Sequence, residues 1–490
     1  MQKLNIYEIN TATWLRELSV KYNRAITLAD VPSEEWDIIG DYGCTVVWLM
    51  GVWQRSPAAI EINRKDTKFV TDMQQVLDDF DFDADVIGSA YSIRNYSVSA
   101  DLGGDDALAV ARQELKERGI KLLLDYVPNH VAPDHAWATN NPTYFVQGTN
   151  DDYTARPDEF MQIGAVNYAL GRDPNGAPWS DVLQLNVFSK EFRLQAQRTL
   201  ASIAQQCDGV RCDMAMLVTN EIFKYTWQAL VGDVPQTEYW EELIAATRAT
   251  NPKFLFIAEA YWDTQDALLG QGFDYCYNKD FYDFVRDDET SALAALFAQP
   301  VNVQNRQVRF LENHDEPRAA SLLDYKQHTA AAILLATSPS ARMYYDGQFD
   351  GVKIRTPVQL CRDPMVESNE QLRQFYTKYQ HLLSSLTYDN ASWQLCSVTA
   401  LHSVDDSLEA VFAWNWQIAD AYYVSITNYS KQSVDAAVAL SLADVDITNT
   451  SLTVIFSNSG DNSAIAKIPN GLECRLQPYD AMIVSVRRAI

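Results

Sequence analysis

Short apolar runs rich in β-branched and aromatic residues recur along the chain up to Tyr345, separated by helical or loop-like sequence. The runs are nearly continuous rather than alternating, which is typical of strands buried on both faces of a parallel sheet. Helical sequence such as Asp105–Arg118 and Ser189–Gln206 lies between them, as parallel crossovers require. Eight runs are predicted as strands: Leu4–Asn10, Cys44–Met50, Lys121–Val127, Gly209–Asp213, Phe254–Glu259, Phe273–Tyr277, Arg309–Glu312 and Arg342–Tyr345.

Eight strand-and-helix units predict an α/β fold in which the strands close into a (β/α)8 barrel. The alternative arrangement of alternating strands and helices is an open, doubly wound sheet. Such a sheet usually carries a glycine-rich phosphate loop after its first strand, and none follows Asn10 or Met50. The barrel is therefore the favoured fold.

The spacing between the runs indicates two additions to the barrel. About 80 residues separate Val127 from Gly209, roughly twice what one helix and two loops need, so residues 131–186 are predicted as a small inserted domain. Beyond Thr387 the pattern becomes alternating, which predicts a C-terminal antiparallel β-sandwich over residues 388–490. The alternating stretches include Leu408–Trp414, Ala421–Thr427, Leu452–Phe456 and Ala481–Val486. The barrel then comprises residues 1–130 and 187–387.

The chain is strongly acidic, with 39 Lys and Arg against 65 Asp and Glu and a formal net charge of −26. A body of this charge repels polyanions, and no run rich in Lys or Arg offsets it, so nucleic acid and anionic membrane surfaces are excluded as partners. The hydrophobic fraction of 47% is enough for large buried cores. A membrane-spanning helix needs roughly 18 apolar residues, and runs such as Ala330–Ala336 are far shorter.

Seven cysteines are scattered along the chain without a CxxC pair, at Cys44, Cys207, Cys212, Cys276, Cys361, Cys396 and Cys474. An odd number without paired spacing is typical of reduced thiols rather than of a disulfide or zinc framework. The first residues lack the apolar segment and the small-residue cleavage site of a signal peptide. We therefore expect a cytoplasmic protein whose cysteines are small core residues.

Acidic residues stand at the predicted carboxyl ends of several strands, where the functional residues of a (β/α)8 barrel lie. Asp213 ends the fourth run, Glu259 ends the fifth, and Asp315 follows the seventh. A single acid at a strand end is often a helix cap. Three carboxylates brought to one cleft repel each other, so a fold bears that cost mainly to bind a metal or to catalyse acid and base chemistry.

The surroundings of two of these acids predict different charge states. Arg211 and Asp213 stand two residues apart on a strand, so their side chains share a face and the arginine can hold the aspartate ionised. Glu259 follows a strongly apolar stretch, where burial and neighbouring acids would keep it protonated near neutral pH. One ionised and one protonated carboxyl facing each other are what the cleavage of a glycosidic bond requires.

Four segments resemble, in order, the four signature regions of the α-amylase family of glycoside hydrolases. They are Asp125-Tyr-Val-Pro-Asn129-His130, Gly209-Val-Arg211-Cys-Asp213, Ala258-Glu259-Ala260 and Glu312-Asn-His314-Asp315. The segment Gly88–Tyr96 is similar to the family segment whose tyrosine packs on the sugar. The layout of barrel, excursion after the third strand and terminal β domain resembles the family over essentially the whole chain.

The resemblance implies a retaining mechanism, in which two carboxyls flank the scissile bond. By this analogy Asp213 is the nucleophile, Glu259 is the acid that later becomes the base, and Asp315 holds sugar hydroxyls. The residues implied to bind substrate or to orient the acids are Tyr91, His130, Arg211 and His314. The tyrosine would stack under the ring, the arginine would orient the nucleophile, and the histidines would donate hydrogen bonds to sugar hydroxyls.

Two departures from the family pattern bear on metal binding. Met216 and Leu217 follow the nucleophile where many members carry a Lys-His pair, and Gln184 stands where calcium-binding members carry Asp. Asn129 remains as one neutral ligand, whereas a calcium ion takes about six to eight oxygens, several of them from carboxylates. We therefore expect no calcium and no other cofactor.

Aromatic residues outside the motifs could extend the binding surface. Those in loops after the strands are Trp53, Trp137, Trp179, Tyr261 and Trp262. In the C-terminal domain, Trp414 and Trp416 could bind glucan if they are exposed. Alternating aromatics in a sandwich also straddle its two faces, so core packing is the competing interpretation for this pair.

The sequence thus predicts a hydrolase that cuts α-1,4 bonds in malto-oligosaccharides or in glycogen-like and starch-like glucan. A transglycosylase and an α-glucosidase of the same family are alternatives, because they share the motifs and differ in the acceptor or the length of the substrate. A non-catalytic carbohydrate-binding or scaffold relative is a remote alternative. Such relatives normally lose the catalytic acids and carry a membrane anchor, whereas this sequence keeps all three acids and shows no anchor.

Overall fold

Eight parallel strands close into a barrel in the computed structural model, which describes residues 3–365, 367–385, 391–401, 406–418, 421–440, 447, 450–460 and 465–488. In order, the barrel strands are Asn5–Asn10, Val46–Met50, Lys121–Tyr126, Gly209–Cys212, Leu255–Ala258, Tyr275–Tyr277, Gln307–Phe310 and Ala341–Tyr345. Each pairs with the next along the chain, and the eighth pairs with the first. The predicted fold class is confirmed, and every predicted run overlaps a barrel strand.

The inside of the barrel changes character from one layer of side chains to the next. Ile6, Leu123 and Ile257 belong to a fully apolar interior cluster. Two residues further along their strands, on the same face, stand Glu8 and Asp125, both buried. Side chains two residues apart on a strand point to the same face, so these acids form a polar layer directly above the apolar layer.

Helices surround the barrel and occupy its connections. Their bounds are Thr11–Lys21, Ser33–Asp41, Pro57–Lys65, Thr67–Val76, Phe82–Asp85, Gly104–Glu117, Ala136–Asn140, Asn150–Ala155, Lys190–Gln206, Asn220–Trp227, Tyr239–Thr250, Gln265–Gly270, Lys279–Arg286, Thr290–Phe297, Val301–Gln304, Ala319–Leu322, Tyr325–Thr337 and Glu370–Ser385. The two helices predicted from the sequence are confirmed to within one residue. Ser189 caps one of them, because its hydroxyl accepts a hydrogen bond from the amide of Phe192.

The link between the second and third barrel strands is long, and only its last helix, Gly104–Glu117, was predicted. Residues 51–120 contain an antiparallel pair, Trp53–Arg55 with Ile93–Val98, and four of the helices. This link matters for the site because it carries Tyr91 over the mouth of the barrel.

The excursion after the third barrel strand forms a small antiparallel sheet. Its strands are His130–Val131, Gln147–Gly148, Phe160–Ile163, Val166–Gly171 and Trp179–Gln184. The last strand returns alongside the first, with Leu183 opposite Val131 and Gln184 opposite His130. The excursion is therefore joined to the barrel at the exit of the third barrel strand.

Two antiparallel sheets form the C-terminal β-sandwich. One contains Ser392–Leu395, Val411–Ile418, Ala421–Asn428, Ala481–Arg488 and Thr450–Ser457, and the other contains Val398–Ala400, Val434–Ala439, Gly471–Leu476 and Ile465–Ile468. Val424, Val438 and Leu472 are fully buried in the core between the sheets. The predicted boundary between residues 387 and 388 lies outside the described residues.

The helix Tyr325–Thr337 joins the barrel to the sandwich. Its residues from His328 onward are all buried, as expected for a helix that is apolar on every side. Thr337 donates a hydrogen bond to Ser425 of the sandwich at 3.1 Å. Within the described parts of the chain, no helix has the length and apolarity to span a membrane.

Substituting Gly209, which opens the fourth barrel strand, should loosen the barrel. A Cβ at Gly209 would lie 2.6 Å from Leu255 Cβ and 2.8 Å from the carbonyl oxygen of Leu255. We expect Gly209→Ala to destabilise the barrel by about 1–3 kcal/mol, seen as a lower urea midpoint. Gly232→Ala, where no atom lies within 4 Å, is the control. Equal midpoints for the two variants would contradict this account of the strand contact.

Candidate active site

The predicted site residues lie together at the carboxyl ends of the barrel strands. A cleft of about 980 Å³ opens there, and Tyr91, His130, Asp213, Glu259 and Asp315 line it. The other two predicted residues, Arg211 and His314, are buried beneath the lining, with exposures of 1% and 0%. Residues that are far apart in the chain thus form one constellation.

Arg211 is the centre of this constellation. Its Nη1 lies 2.8 Å from Asp213 Oδ1, and its Nη2 lies 2.8 Å from Glu259 Oε2. Asp125 Oδ1 is 3.6 Å from the same Nη1. A guanidinium presents several donors in a rigid fork, so one arginine can hold two carboxylates side by side. The expectation that Arg211 serves Asp213 is therefore incomplete, because Arg211 bridges both acids.

Aromatic rings enclose the guanidinium of Arg211. Its Cζ lies 5.1 Å from the ring centre of Trp48, 5.3 Å from that of Tyr91 and 5.8 Å from that of Tyr277. Rings at these distances attract a cation through their electron-rich faces and exclude water from it. The ion pairs of Arg211 are consequently strong, because they lie in a medium of low dielectric constant.

Burial governs the charge of Asp213. Burial raises the pKa of Asp213 to about 7, although Arg211 opposes the rise, and the nearby Glu259 adds to it. Arg211 thus acts on Asp213 in the predicted direction, toward the ionised form, and offsets part of the cost of burial. Asp125, which lies opposite Arg211 in the strand register, behaves in a similar way, because burial raises its pKa to about 6.

One ion pair and two hydrogen bonds position Glu259, which is 2% exposed. In addition to the contact with Arg211, the Met214 amide donates to Oε2 at 2.6 Å and the Tyr261 hydroxyl donates to Oε1 at 2.6 Å. Met214 adopts a left-handed backbone with φ of 42°, which is uncommon outside glycine. That conformation turns the amide that follows Asp213 toward Glu259, so the two acids are also linked through the backbone.

His314 is the second buried cation of the site. Its Nδ1 lies 2.5 Å from Glu8 Oε1, and its Nε2 lies 3.0 Å from Asp315 Oδ2 and 2.8 Å from the Tyr91 hydroxyl. Burial alone would lower the pKa of His314, but the two carboxylates outweigh it and raise the pKa to about 10. In return, His314 lowers the pKa of Asp315, whose side chain is 47% exposed, to about 2. The pair is therefore charged across the working pH range.

His130 differs from His314 in that its ring is neutral. Burial lowers the pKa of His130 to about 4, so the ring is neutral. Trp179 of the excursion meets it edge to face, with the ring centres 5.3 Å apart. The Nδ2 atom of Asn129 lies 3.3 Å from its Nδ1. A neutral imidazole can both accept and donate a hydrogen bond, which suits contact with a hydroxyl group.

The residues at the position of the family calcium site do not fit that ion. Gln184 directs its side-chain nitrogen at the oxygens of Asn129, 2.9 Å from the main-chain oxygen and 2.9 Å from Oδ1. The main-chain oxygen of Asn129 also accepts a hydrogen bond from the Leu185 amide at 3.0 Å, so both of its lone pairs are in use. Among the described residues, no group of three or more His, Cys, Asp or Glu side chains is placed to hold a metal.

The aromatic residues named from the sequence divide into two groups. Trp179, Tyr261 and Trp262 line the cleft, and Trp262 is 47% exposed. Trp53 is instead buried and donates to the main-chain oxygen of Asp125 at 2.8 Å. Trp137 stacks near His135 and lines a different depression.

Trp414 and Trp416, the two C-terminal tryptophans named from the sequence, are buried, so they provide no exposed glucan platform. Trp414 packs on Phe297 of the barrel, with ring centres 4.9 Å apart, and Trp416 stacks on Tyr423 at 5.8 Å. Their shared strand face is turned toward the barrel helices, so burial of the domain interface determines their role.

A family model described as the α-amylase catalytic domain matches residues 33–390. The chain belongs to the α-amylase family of glycoside hydrolases. A maltogenic α-amylase from Thermotoga neapolitana has the same fold, with a TM-score of 0.68, 17% sequence identity and 99% of each chain covered.

Two curated relatives match this α-amylase family member over different shares of their own length. An α-amylase from Haloarcula japonica is 24% identical over 360 residues, which cover 71% of this chain and 44% of that protein. The chain thus spans less than half the length of that relative. A glucan 1,6-α-glucosidase from Streptococcus dysgalactiae is 22% identical, with 93% of this chain and 94% of that protein covered.

Sequence reasoning missed Glu8 and underestimated Tyr261. Glu8 contacts His314 from a position 306 residues away in the chain, and Tyr261 holds the carboxyl of Glu259. Glu8 did leave a signal, because an acid in the middle of an otherwise apolar barrel strand is buried at a cost and needs a partner. Its partner could not be read from the local sequence.

Removing the charge of Arg211 should destabilise the protein most at high pH. Arg211→Met leaves Asp213 and Glu259 buried without a counter-charge, a loss of about 3–5 kcal/mol. Arg211 lowers the pKa of Asp213, which burial raises to about 7, so this pKa should be higher still in the variant. The folded variant then binds more protons than the folded wild type above pH 7, and its deficit should grow as the pH rises through 7.

Thermal unfolding of wild type and Arg211→Met at pH 5.5 and at pH 8 measures this difference. The control is Arg64→Met, which removes an exposed arginine from a surface helix and should lower the melting temperature little at either pH. A deficit of equal size at both pH values for Arg211→Met would show that lost packing, and not lost charge, is the cause.

Proposed function

We propose that this chain is a retaining glycoside hydrolase that cleaves α-1,4 bonds in malto-oligosaccharides or in glycogen-like and starch-like glucan. The observation that carries the proposal is the bridge from Arg211 to Asp213 and Glu259 at the floor of the cleft. Two carboxyls side by side suit a double displacement, because the nucleophile must reach the sugar with no water between them. An inverting enzyme needs a wider separation of its two acids.

In the first step, Asp213 attacks the anomeric carbon while protonated Glu259 gives its proton to the leaving oxygen. The bond between the anomeric carbon and that oxygen breaks, and a glycosyl ester of Asp213 forms. Asp315 carries its negative charge beside the ring as positive charge develops on the sugar. Because the pKa of Asp315 is held near 2 by His314, this stabilising charge does not depend on pH in the usual range.

In the second step, a water molecule gives a proton to Glu259 and attacks the anomeric carbon, which releases Asp213. The configuration at that carbon is inverted twice and so retained. Glu259 must act from the same place in both steps, and its bonds from the Met214 amide and the Tyr261 hydroxyl keep it there.

Several features support a neutral glucan as the substrate. The cleft volume of about 980 Å³ is at the upper end of the range of about 300–1,000 Å³ for ligand sites, so several sugar rings fit. Trp179 and Trp262 line the cleft and offer apolar faces on which sugars can stack. Most of the charged residues along the lining are acidic, which disfavours phosphorylated sugars.

Cleavage of α-1,6 bonds is the second candidate. The observation that favours it is the relative described as a glucan 1,6-α-glucosidase, which matches over nearly the full length of both chains. Transfer of the glycosyl group to another sugar is a third outcome of the same chemistry, since the two reactions differ only in what attacks the intermediate.

We place this enzyme in the cytoplasm. All seven cysteines are free thiols, and six of them are buried. Free thiols throughout a chain suit a reducing compartment.

The decisive experiment is product analysis with maltoheptaose and with isomaltotriose. We expect shorter malto-oligosaccharides from maltoheptaose, the α-anomer appearing first in proton NMR spectra, and no products from Asp213→Asn. Cleavage of isomaltotriose alone would favour the α-1,6 candidate, and products longer than maltoheptaose would indicate transfer. No new reducing ends from either sugar, or the β-anomer first, would refute the proposal.

The role of Glu259 predicts a dependence on the leaving group. Glu259→Gln should lower kcat on maltoheptaose by about 10²–10⁴-fold, because the leaving oxygen is no longer protonated. Fluoride leaves without a proton, so the initial burst of fluoride from α-maltosyl fluoride should fall much less. The control Asp106→Asn, an exposed acid on a barrel helix, should keep both rates. Equal losses on the two substrates would exclude Glu259 as the proton donor.

A further inference from the structure

Gln184 is the last residue of the excursion's closing strand, and it is completely buried. Its side-chain nitrogen makes three contacts, to the main-chain oxygen of Asn129 at 2.9 Å, to Asn129 Oδ1 at 2.9 Å and to the main-chain oxygen of Leu185 at 3.1 Å. One amide group therefore ties the end of the excursion to the exit of the third barrel strand, where a backbone bond from Leu185 to Asn129 already joins them.

The orientation of the Gln184 amide follows from these contacts. Two of the three neighbouring atoms are main-chain carbonyl oxygens, whose identity is not in doubt and which can only accept. Turning the amide over would place its own oxygen against three other oxygens. The side-chain oxygen of Gln184 has no hydrogen-bond partner among the described residues, so no competing contact holds the amide the other way round.

The orientation of the Gln184 amide determines the orientation of the Asn129 amide, and through it the tautomer of His130. Asn129 must present Oδ1 to the Gln184 nitrogen, so its Nδ2 is turned toward His130 Nδ1, at 3.3 Å. An amide nitrogen can only donate, so Nδ1 of a neutral imidazole must accept and the ring proton must sit on Nε2. The remaining N–H is then the donor to the main-chain oxygen of Tyr91, a residue that lines the cleft.

We propose that Gln184 is a positioning residue whose side-chain amide takes the place of a calcium ion at the junction of barrel and excursion and sets the tautomer of His130 through Asn129. Its N–H group satisfies the same kind of oxygens that a cation would, without a metal. The consequence for sugar binding rests on the proposed function, whereas the clamp and the tautomer do not.

The first test is the response of thermal stability to calcium. Wild type should melt at the same temperature in EDTA and in millimolar calcium chloride. Gln184→Glu replaces the nitrogen by a charged oxygen among three oxygens, so it should melt lower in EDTA and recover in calcium. Gln184→Met should melt lower in both, and Gln162→Glu, exposed on another strand of the excursion, should respond little.

The second test is the tautomer of His130, measured from long-range nitrogen–proton correlations in protein labelled with ¹⁵N-histidine. The chain has 6 histidines, and His130→Gln identifies the signals of His130 by their loss. Wild type should show the proton on Nε2, and Gln184→Met should show a mixture of tautomers. A purely structural role for Gln184 would lower the melting temperature and leave this pattern unchanged.

Several outcomes would overturn the proposal. A melting temperature of the wild type that rises in calcium would mean that a cation occupies the junction. A proton on Nδ1 of His130 in the wild type would contradict the proposed tautomer. An unchanged tautomer in Gln184→Met would show that Gln184 does not set it. The two wild-type measurements stand even if neither variant folds, and none of these results depends on whether glucan is cleaved.

Discussion

The buried positive charge of Arg211 is the constraint on which the catalytic end of the barrel depends. Asp125, Asp213 and Glu259 enter the mouth from three adjacent strands, and together they would repel each other strongly in a medium from which water is largely excluded. One guanidinium resolves this by lying between them, enclosed by aromatic rings. The same contact that makes the arrangement stable also sets the two acids side by side, so stability and chemistry share a single cause.

His314 provides the same solution on the opposite side of the mouth. It is a buried cation between Glu8 of the first strand and Asp315 beyond the seventh. Each of the two cations is paired with acids from different strands, so the charges of the mouth tie the ends of the barrel strands together across the cleft. Asp315 and Asp213 differ in their environment. His314 keeps Asp315 ionised, whereas burial raises the pKa of Asp213 to about 7.

The barrel could be predicted from the sequence because its strands are buried on both faces, so each strand is a continuous run of apolar residues. The acids could be predicted because each follows such a stretch directly. The long link of residues 51–120 has no comparable series of apolar runs, because its helices and its strand pair alternate irregularly. Glu8 and its partner His314 are 306 residues apart, and no local pattern connects them. The burial of Trp414 depends on the barrel helices that cover it, not on its own strand.

The sequence by itself determined the order and type of the barrel strands and the family, and it named the seven residues that meet at the mouth of the barrel, because each of these follows from a local pattern or motif. The tertiary structure alone decided that Arg211 is shared between Asp213 and Glu259, and that the amide of Gln184 faces Asn129. These features depend on distances between atoms that are remote in the chain. The charge state of a buried carboxyl depends in addition on how much water the fold excludes around it, which is a property of packing in three dimensions.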